Sequence, residues 1–161
     1  MPRIQETVEI HVARADVFRF CHDLKHWPEW VEQIEAVEMI TPQPFRRGTL
    51  LRIDSRQGNS AVFSWEAEVV DYQMPSGTRI KAIDTAGASP FAAGSELTWE
   101  FVSTGSGTRF SWNWNYQPRG FIANLLDKLG RQRATQKAMQ ASLAALKNLL
   151  ESGRRATIHN N

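Results

Sequence analysis

The sequence predicts a single α+β domain: an antiparallel sheet of seven strands, two short helices after the first strand, and one long amphipathic helix closing the chain. Three observations predict it. Apolar and polar residues alternate along seven short segments, turn-forming residues separate most of those segments at close intervals, and after Pro118-Arg119-Gly120 the apolar period changes from two residues to a helical one. With 161 residues, 42% apolar and 22% charged, the chain has the size and composition of one ordinary folded domain.

Each element can be justified in turn. Ile4 to Val12 places Ile4, Val8, Ile10 and Val12 on one side and Thr7, Glu9 and His11 on the other, as a strand with one wet face does. From Ala13 to Leu24 the residues Val17, Phe18, Phe20, Cys21 and Leu24 share a helical face, with Asp16 in the first turn where its charge suits the helix dipole. Trp27 precedes a proline and is expected to be extended, while Pro28 opens a second short helix through about Gln33. Six further strands are expected at Ile34 to Thr41, Gly48 to Arg56, Ser60 to Gln73, Thr78 to Asp84, Ser95 to Ser103 and Thr108 to Gln117. The breaks between them, such as Gly58-Asn59, Pro75-Ser76-Gly77, Ala86 to Gly94 and Gly105-Ser106-Gly107, suit a meander of hairpins. Phe121, Ile122, Leu125, Leu126, Leu129, Met139, Leu143, Leu146 and Leu150 then recur at helical spacing as far as Gly153, with Gly130 as the point where a bend is expected. Residues 1–153 form the predicted domain, and the basic tail 154–161 is expected to be disordered.

Composition excludes several classes of function. No stretch is long and apolar enough to cross a bilayer, and the first residues run into charged, alternating sequence without a signal-peptide core, so a cytoplasmic protein is expected. The lone Cys21 can form neither an internal disulfide nor a thiolate zinc site. Net charge is +2, but from Arg119 onward eight Lys/Arg face two acids. The simplest account is a solvated basic helix face, and no nucleic-acid partner is predicted. There is no phosphate-cradling glycine loop, and no cofactor is predicted.

The aromatic rows carry the most information. Alternation puts Phe63, Trp65, Ala67 and Val69 on one face of their strand, Leu97, Trp99 and Phe101 on one face of theirs, and Phe110, Trp112, Trp114 and Tyr116 on one face of the last. The opposite faces carry Ser64, Glu66, Glu68, Glu100, Ser111, Asn113 and Asn115, so the aromatic set should face the helix and the polar set water.

The order strand, two short helices, six-strand meander, long C-terminal helix resembles the START-like, Bet v 1-like superfamily and its helix-grip fold, over about residues 3 to 152. Its local marks are Val8-Glu9-Ile10-His11-Val12-Ala13 leading into Val17-Phe18, Asp23 with Trp27-Pro28-Glu29-Trp30, and Leu143-Ala144-Ala145-Leu146-Lys147. Within it the chain looks most like the bacterial polyketide cyclase/dehydrase and lipid-transport group. The resemblance implies a curved sheet wrapped around the long helix with a cavity between them, where members bind sterols, lipids, polyketides or hormones. It transfers no catalytic residue.

On that basis Phe63, Trp65, Trp99, Phe101, Trp112, Trp114 and Tyr116 are the candidate lining, against the plainer alternative of core packing. Extrapolated from Leu129 at 3.6 residues per turn, the apolar stripe of the long helix passes Arg133 and Gln136 before reaching Met139. In a continuous helix Arg133 or Gln136 would reach the cavity and anchor a carboxylate, carbonyl or phosphate; a kink at Gly130 would turn Arg133 outward.

His22 and His26 have metal-ligand spacing on a helix, but Pro28 interrupts regular helix and no third ligand has a place, so two exposed loop histidines are expected and no metal is predicted. Cys21, His22 and Asp23 are consecutive and point in different directions, which rules out a triad.

Three functions follow. The first is a non-catalytic carrier or sensor of a small hydrophobic ligand, because the inner faces carry no acid/base pair. The second is an aromatase/cyclase or dehydratase acting on a polyketide-like substrate, with Tyr116, Arg133, Asp54 or His11 as proton-transfer candidates. The third is a protein- or ribosome-binding regulator, which would use the basic C-terminal quarter and exposed indoles of Trp27 and Trp30. The sequence leaves open whether the chain is a monomer or a homodimer.

Overall fold

The computed structural model describes residues 2–58, 61–85, 89–120, 125 and 130–159. In chain order these are β1 (Arg3–Ile10), α1 (Arg14–Cys21), a one-turn 3-10 helix (Leu24–His26), α2 (Trp27–Trp30), β2 (Ile34–Met39), β3 (Leu50–Ser55), β4 (Phe63–Gln73), β5 (Gly77–Thr85), β6 (Glu96–Ser103), β7 (Thr108–Asn115) and α3 (Gln132–His159). The expected positions Asn59, Ser60, Ala86, Phe121, Ile122, Leu126 and Leu129 lie outside the described residues.

All seven strands form one antiparallel sheet in the order β1-β7-β6-β5-β4-β3-β2. Consecutive hairpins join β2 through β7, and β1 closes the order by pairing with β7 from Arg3↔Asn115 to Ile10↔Thr108. Register shifts between Ile34 and Ala36, between Glu66 and Ala67, and between Val69 and Asp71 mark irregularities of the kind that bend strands and tighten their twist. The sheet curves into a half-barrel whose concave face receives α3, which is the helix-grip arrangement.

The turn before β7 depends on a glycine. A Cβ on Gly107 would fall 2.1 Å from the Ile10 carbonyl oxygen and 2.9 Å from the His11 Cα, so only glycine lets this turn lie against the end of β1. Beside it the Thr108 hydroxyl donates to the Val12 carbonyl at 2.7 Å.

The two short helices plug one end of the half-barrel. Trp27 and Trp30 are each 1% exposed, and with Phe18, Trp99, Phe101 and Phe110 they are among the largest fully buried side chains. Trp27 is helical, at φ −55° and ψ −45°, rather than extended as the following proline suggests. Its indole N–H donates to the Cys21 carbonyl at 2.7 Å, and burial of the ring together with this bond outweighs the local pre-proline preference. The second helix accordingly starts at Trp27 and ends at Trp30, and Val31 is extended.

The long helix buries Thr135, Met139, Ser142, Leu143 and Leu146. Its polar flank is tied to β1: Gln136 and Gln140 donate to the Glu6 carboxylate at 2.8 and 3.1 Å, and Lys147 donates to the Glu9 carbonyl at 2.6 Å. Ser142 accepts from the Glu32 amide at 2.9 Å, which holds α3 to the segment after α2. Two features differ from the spacing argument. Leu125, assigned to the buried stripe, is 51% exposed, and helical backbone continues past Gly153 to His159.

Candidate functional site

The concave face is divided into a packed half and a hollow half. In the packed half Trp99 lies 5.6 Å from Trp27, 5.4 Å from Trp30 and 5.9 Å from Phe110, and Phe101 lies 5.0 Å from Phe18, measured between ring centroids. In the hollow half a cavity of about 90 Å³ opens between the sheet and the start of α3. Its apolar wall is Val31, Ile34, Phe63, Trp65, Pro90, Phe91, Leu97, Trp112, Trp114 and Met139, and its polar groups are Gln33, Ser55, Arg56, Gln57, Tyr116, Arg131 and Thr135.

Strand register explains the division. β6 and β7 pair Leu97 with Trp114, Trp99 with Trp112 and Phe101 with Phe110. Each step of two residues moves the inward side chain about 6.6 Å along the strand. The Leu97/Trp114 rung borders the cavity, the Phe101/Phe110 rung lies under α1, and Trp112 touches both halves.

Phe63, Trp65, Trp112, Trp114, Tyr116 and Met139 are thus brought together around the cavity, while Trp99 and Phe101 are core residues away from it. Arg133 and Gln136 point outward: both are exposed, and Gln136 is occupied by Glu6. The helical phase set by Leu146, Leu143 and Met139 leads back to Thr135 and Arg131, which line the cavity in their place. Gly130 and Arg131 form a π turn entering α3, so the phase extrapolated from Leu129 does not carry across it.

Several lining residues escaped the alternation argument because they lie off the strands. Phe91 sits in a segment that reads as turn, yet it is 9% exposed and meets Phe63, Trp65 and Trp114 edge-on at 5.9, 5.1 and 5.2 Å. The Ala92 amide donates to the Gln117 carbonyl at 2.8 Å and straps this segment over the end of β7. The legible signal was an aromatic residue amid small turn-formers.

Two hydrogen bonds organise the polar side. Trp65 donates its indole N–H to the Ser55 hydroxyl at 3.0 Å, and Gln57 donates its amide to the Thr135 hydroxyl at 3.2 Å. The other proton-transfer candidates do not converge with Tyr116. Asp54 accepts from Ser64 at 2.6 Å on the outer face, and the backbone amide of the exposed His11 donates to the Glu151 carboxylate at 3.1 Å.

His22 is not the exposed loop residue expected. Its ring stacks on Phe18 at 4.1 Å and meets Phe45, Tyr72 and Trp99 edge-on at 5.4 to 5.6 Å. Because a carbonyl can only accept, Nδ1 carries the proton and donates to the Phe18 carbonyl at 2.6 Å, leaving Nε2 to accept from the Thr78 hydroxyl. Burial lowers its pKa to about 4, against the upward pull of the Phe18 hydrogen bond. His26 is engaged separately, by Glu29 at 2.9 Å. Among the described residues no group of three metal-ligating side chains occurs. Cys21 is fully buried, and desolvation pushes its thiol well up. No helix among the described residues is long and apolar enough to cross a membrane.

Comparison with known proteins agrees with this architecture. The protein TTHA0849 from Thermus thermophilus superposes with a TM-score of 0.78 at 20% identity, covering 94% of this chain and 99% of that one. The Zhui aromatase/cyclase from Streptomyces sp. R1128 gives 0.72 at 13% identity, covering 92% and 95%. A START superfamily protein from Mycobacterium smegmatis gives 0.72 at 14%, covering 93% and 97%. At these identities the likeness is one of fold. No curated protein matches the chain by sequence. The family model described as polyketide cyclase / dehydrase and lipid transport matches residues 1–151, and the chain belongs to that family.

Proposed function

We propose that the chain binds a small hydrophobic molecule in the cavity between its sheet and α3, as a carrier or sensor. The observation that carries this reading is the wall itself: Phe63, Trp65, Phe91, Trp112 and Trp114 surround space that the helix leaves unfilled beside Met139. A preformed apolar hollow with a few convergent polar groups is the usual form of a small-molecule site. Among the described lining residues there is no carboxylate or imidazole to pair with Tyr116 as acid and base, which favours binding over chemistry. The regulator reading loses one of its two supports, since both indoles of the Trp27–Trp30 helix are in the core.

An aromatase/cyclase is the second reading, favoured by Tyr116 on the cavity wall and by the fold neighbour of that activity. Native mass spectrometry of freshly purified full-length protein, with identification of any released molecule, separates the two. Carriage predicts an apolar molecule recovered unchanged after rebinding. A clean apo mass, with no quenching of indole fluorescence by polyketide, fatty-acid or sterol probes, would count against both.

A further inference from the structure

The charged groups of the cavity are of one sign. Arg56 and Arg131 are its charged lining residues, and among the described residues no Asp or Glu lines it. The Arg56 Nε is held by Glu35 at 3.1 Å, whereas Arg131 is half-buried and forms no ion pair among the described residues. The two hydroxyls deeper in, Ser55 and Thr135, are 4% and 9% exposed, and each already accepts a hydrogen bond, from Trp65 and from Gln57. Each therefore keeps its O–H proton for another acceptor. A ligand entering this space meets two guanidinium groups and, among the described residues, no carboxylate, so an accepting, negatively charged polar end suits it best.

Size restricts the rest of the molecule. An apolar cavity of about 150 Å³ takes up benzene, and drug-sized ligands use roughly 300 Å³ or more. The space here is about 90 Å³ and opens to solvent on one side. Space on this scale suits a single ring or a short alkyl chain whose remainder extends toward the opening.

Resting on the ligand-binding reading above, we infer that the ligand is a small apolar acid: a single-ring or short-chain body among Trp65, Phe91 and Trp112, with its carboxylate on the Arg131 guanidinium at the start of α3. A guanidinium pairs with a carboxylate through two parallel hydrogen bonds, which fixes the orientation of the bound acid as well as its charge. Neutral isosteres lose that pairing, and an amine meets the cations directly.

Three matched probes test this on the full chain at pH 7: 3-phenylpropanoate, 3-phenylpropan-1-ol and 3-phenylpropylamine, followed by calorimetry and indole fluorescence. The acid is expected to bind about tenfold or more tightly than the alcohol, and the amine most weakly, as a charge-assisted hydrogen bond at a partly buried site implies. Arg131→Gln should remove the preference by weakening the acid far more than the alcohol, and Arg131→Lys should restore part of it. An unchanged urea-unfolding midpoint for Arg131→Gln shows that the variant is folded. Alcohol and acid of equal affinity, or a preference that survives Arg131→Gln, would overturn the acid inference while leaving the cavity reading in place. Failure of all three probes to bind would overturn both.

Discussion

The indole N–H of Trp65 donates to the hydroxyl of Ser55 across the β3–β4 pair at 3.0 Å, with both side chains nearly buried. This bond satisfies a polar atom that the cavity wall would otherwise strand. Ser55→Ala should leave the donor unpaired and lower unfolding free energy by about 1–3 kcal/mol in urea titrations. Trp65→Phe in the Ser55→Ala background should cost less than either change predicts by addition, because the orphaned donor is gone.

Trp27 and Trp30 offer an internal control. Both are 1% exposed, but Trp27 gives its N–H to the Cys21 carbonyl at 2.7 Å, while the Trp30 nitrogen has no partner among the described residues. Trp27→Phe is expected to be more destabilising than Trp30→Phe by roughly 1 kcal/mol, the worth of one such bond. Chemical denaturation of the two variants side by side measures the difference.

Gly107 should tolerate no side chain. The Cβ of Gly107→Ala would fall 2.1 Å from the Ile10 carbonyl oxygen, so the β6–β7 turn must lift from the end of β1. A loss of about 1–3 kcal/mol is expected, the range typical of overpacking, with the amide resonances of Ile10 to Val12 the most displaced.

These positions show how far the sequence could be read. Alternation identified the inward faces of β4, β6 and β7 correctly: Phe63, Trp65, Leu97, Trp99, Phe101, Phe110 and Trp112 are all buried. It could not tell which rung along the strand is capped by α1 and α2 and which is left hollow, because that depends on where two short helices dock. Alternation therefore groups Trp99 and Phe101 with Trp112 and Trp114, although only the latter pair borders the cavity. Phe91 was illegible because loop residues have no periodicity to read. Arg131 is illegible for a different reason: a stripe extrapolated forward from Leu129 is thrown out of phase by the π turn at Gly130 and Arg131, whereas one traced back from Leu146 reaches Arg131 in phase.

His22 makes stability depend on pH. Its folded pKa, lowered by burial to about 4, lies below the ordinary 6.5, so the unfolded chain binds more protons between these values. Stability is then full above about pH 6.5 and falls as pH drops toward 4, by on the order of 3 kcal/mol in total. His22→Gln should flatten this part of the curve while lowering its plateau. Urea titrations at intervals from pH 4.5 to 7.5 read both effects.

The central claim is that the hollow half of the concave face, and not the packed half, receives the ligand. Six tryptophans report on it, each with a separate indole N–H resonance: Trp65, Trp112 and Trp114 on the cavity wall, and Trp27, Trp30 and Trp99 away from it. The most direct test is titration of ¹⁵N-labelled full-length protein with 3-phenylpropan-1-ol, a neutral probe independent of the charge argument. The account predicts saturable shifts of the Trp65, Trp112 and Trp114 signals with Trp27 and Trp30 unmoved; shifts concentrated on Trp27, Trp30 and Trp99, or none at saturating probe, would contradict it.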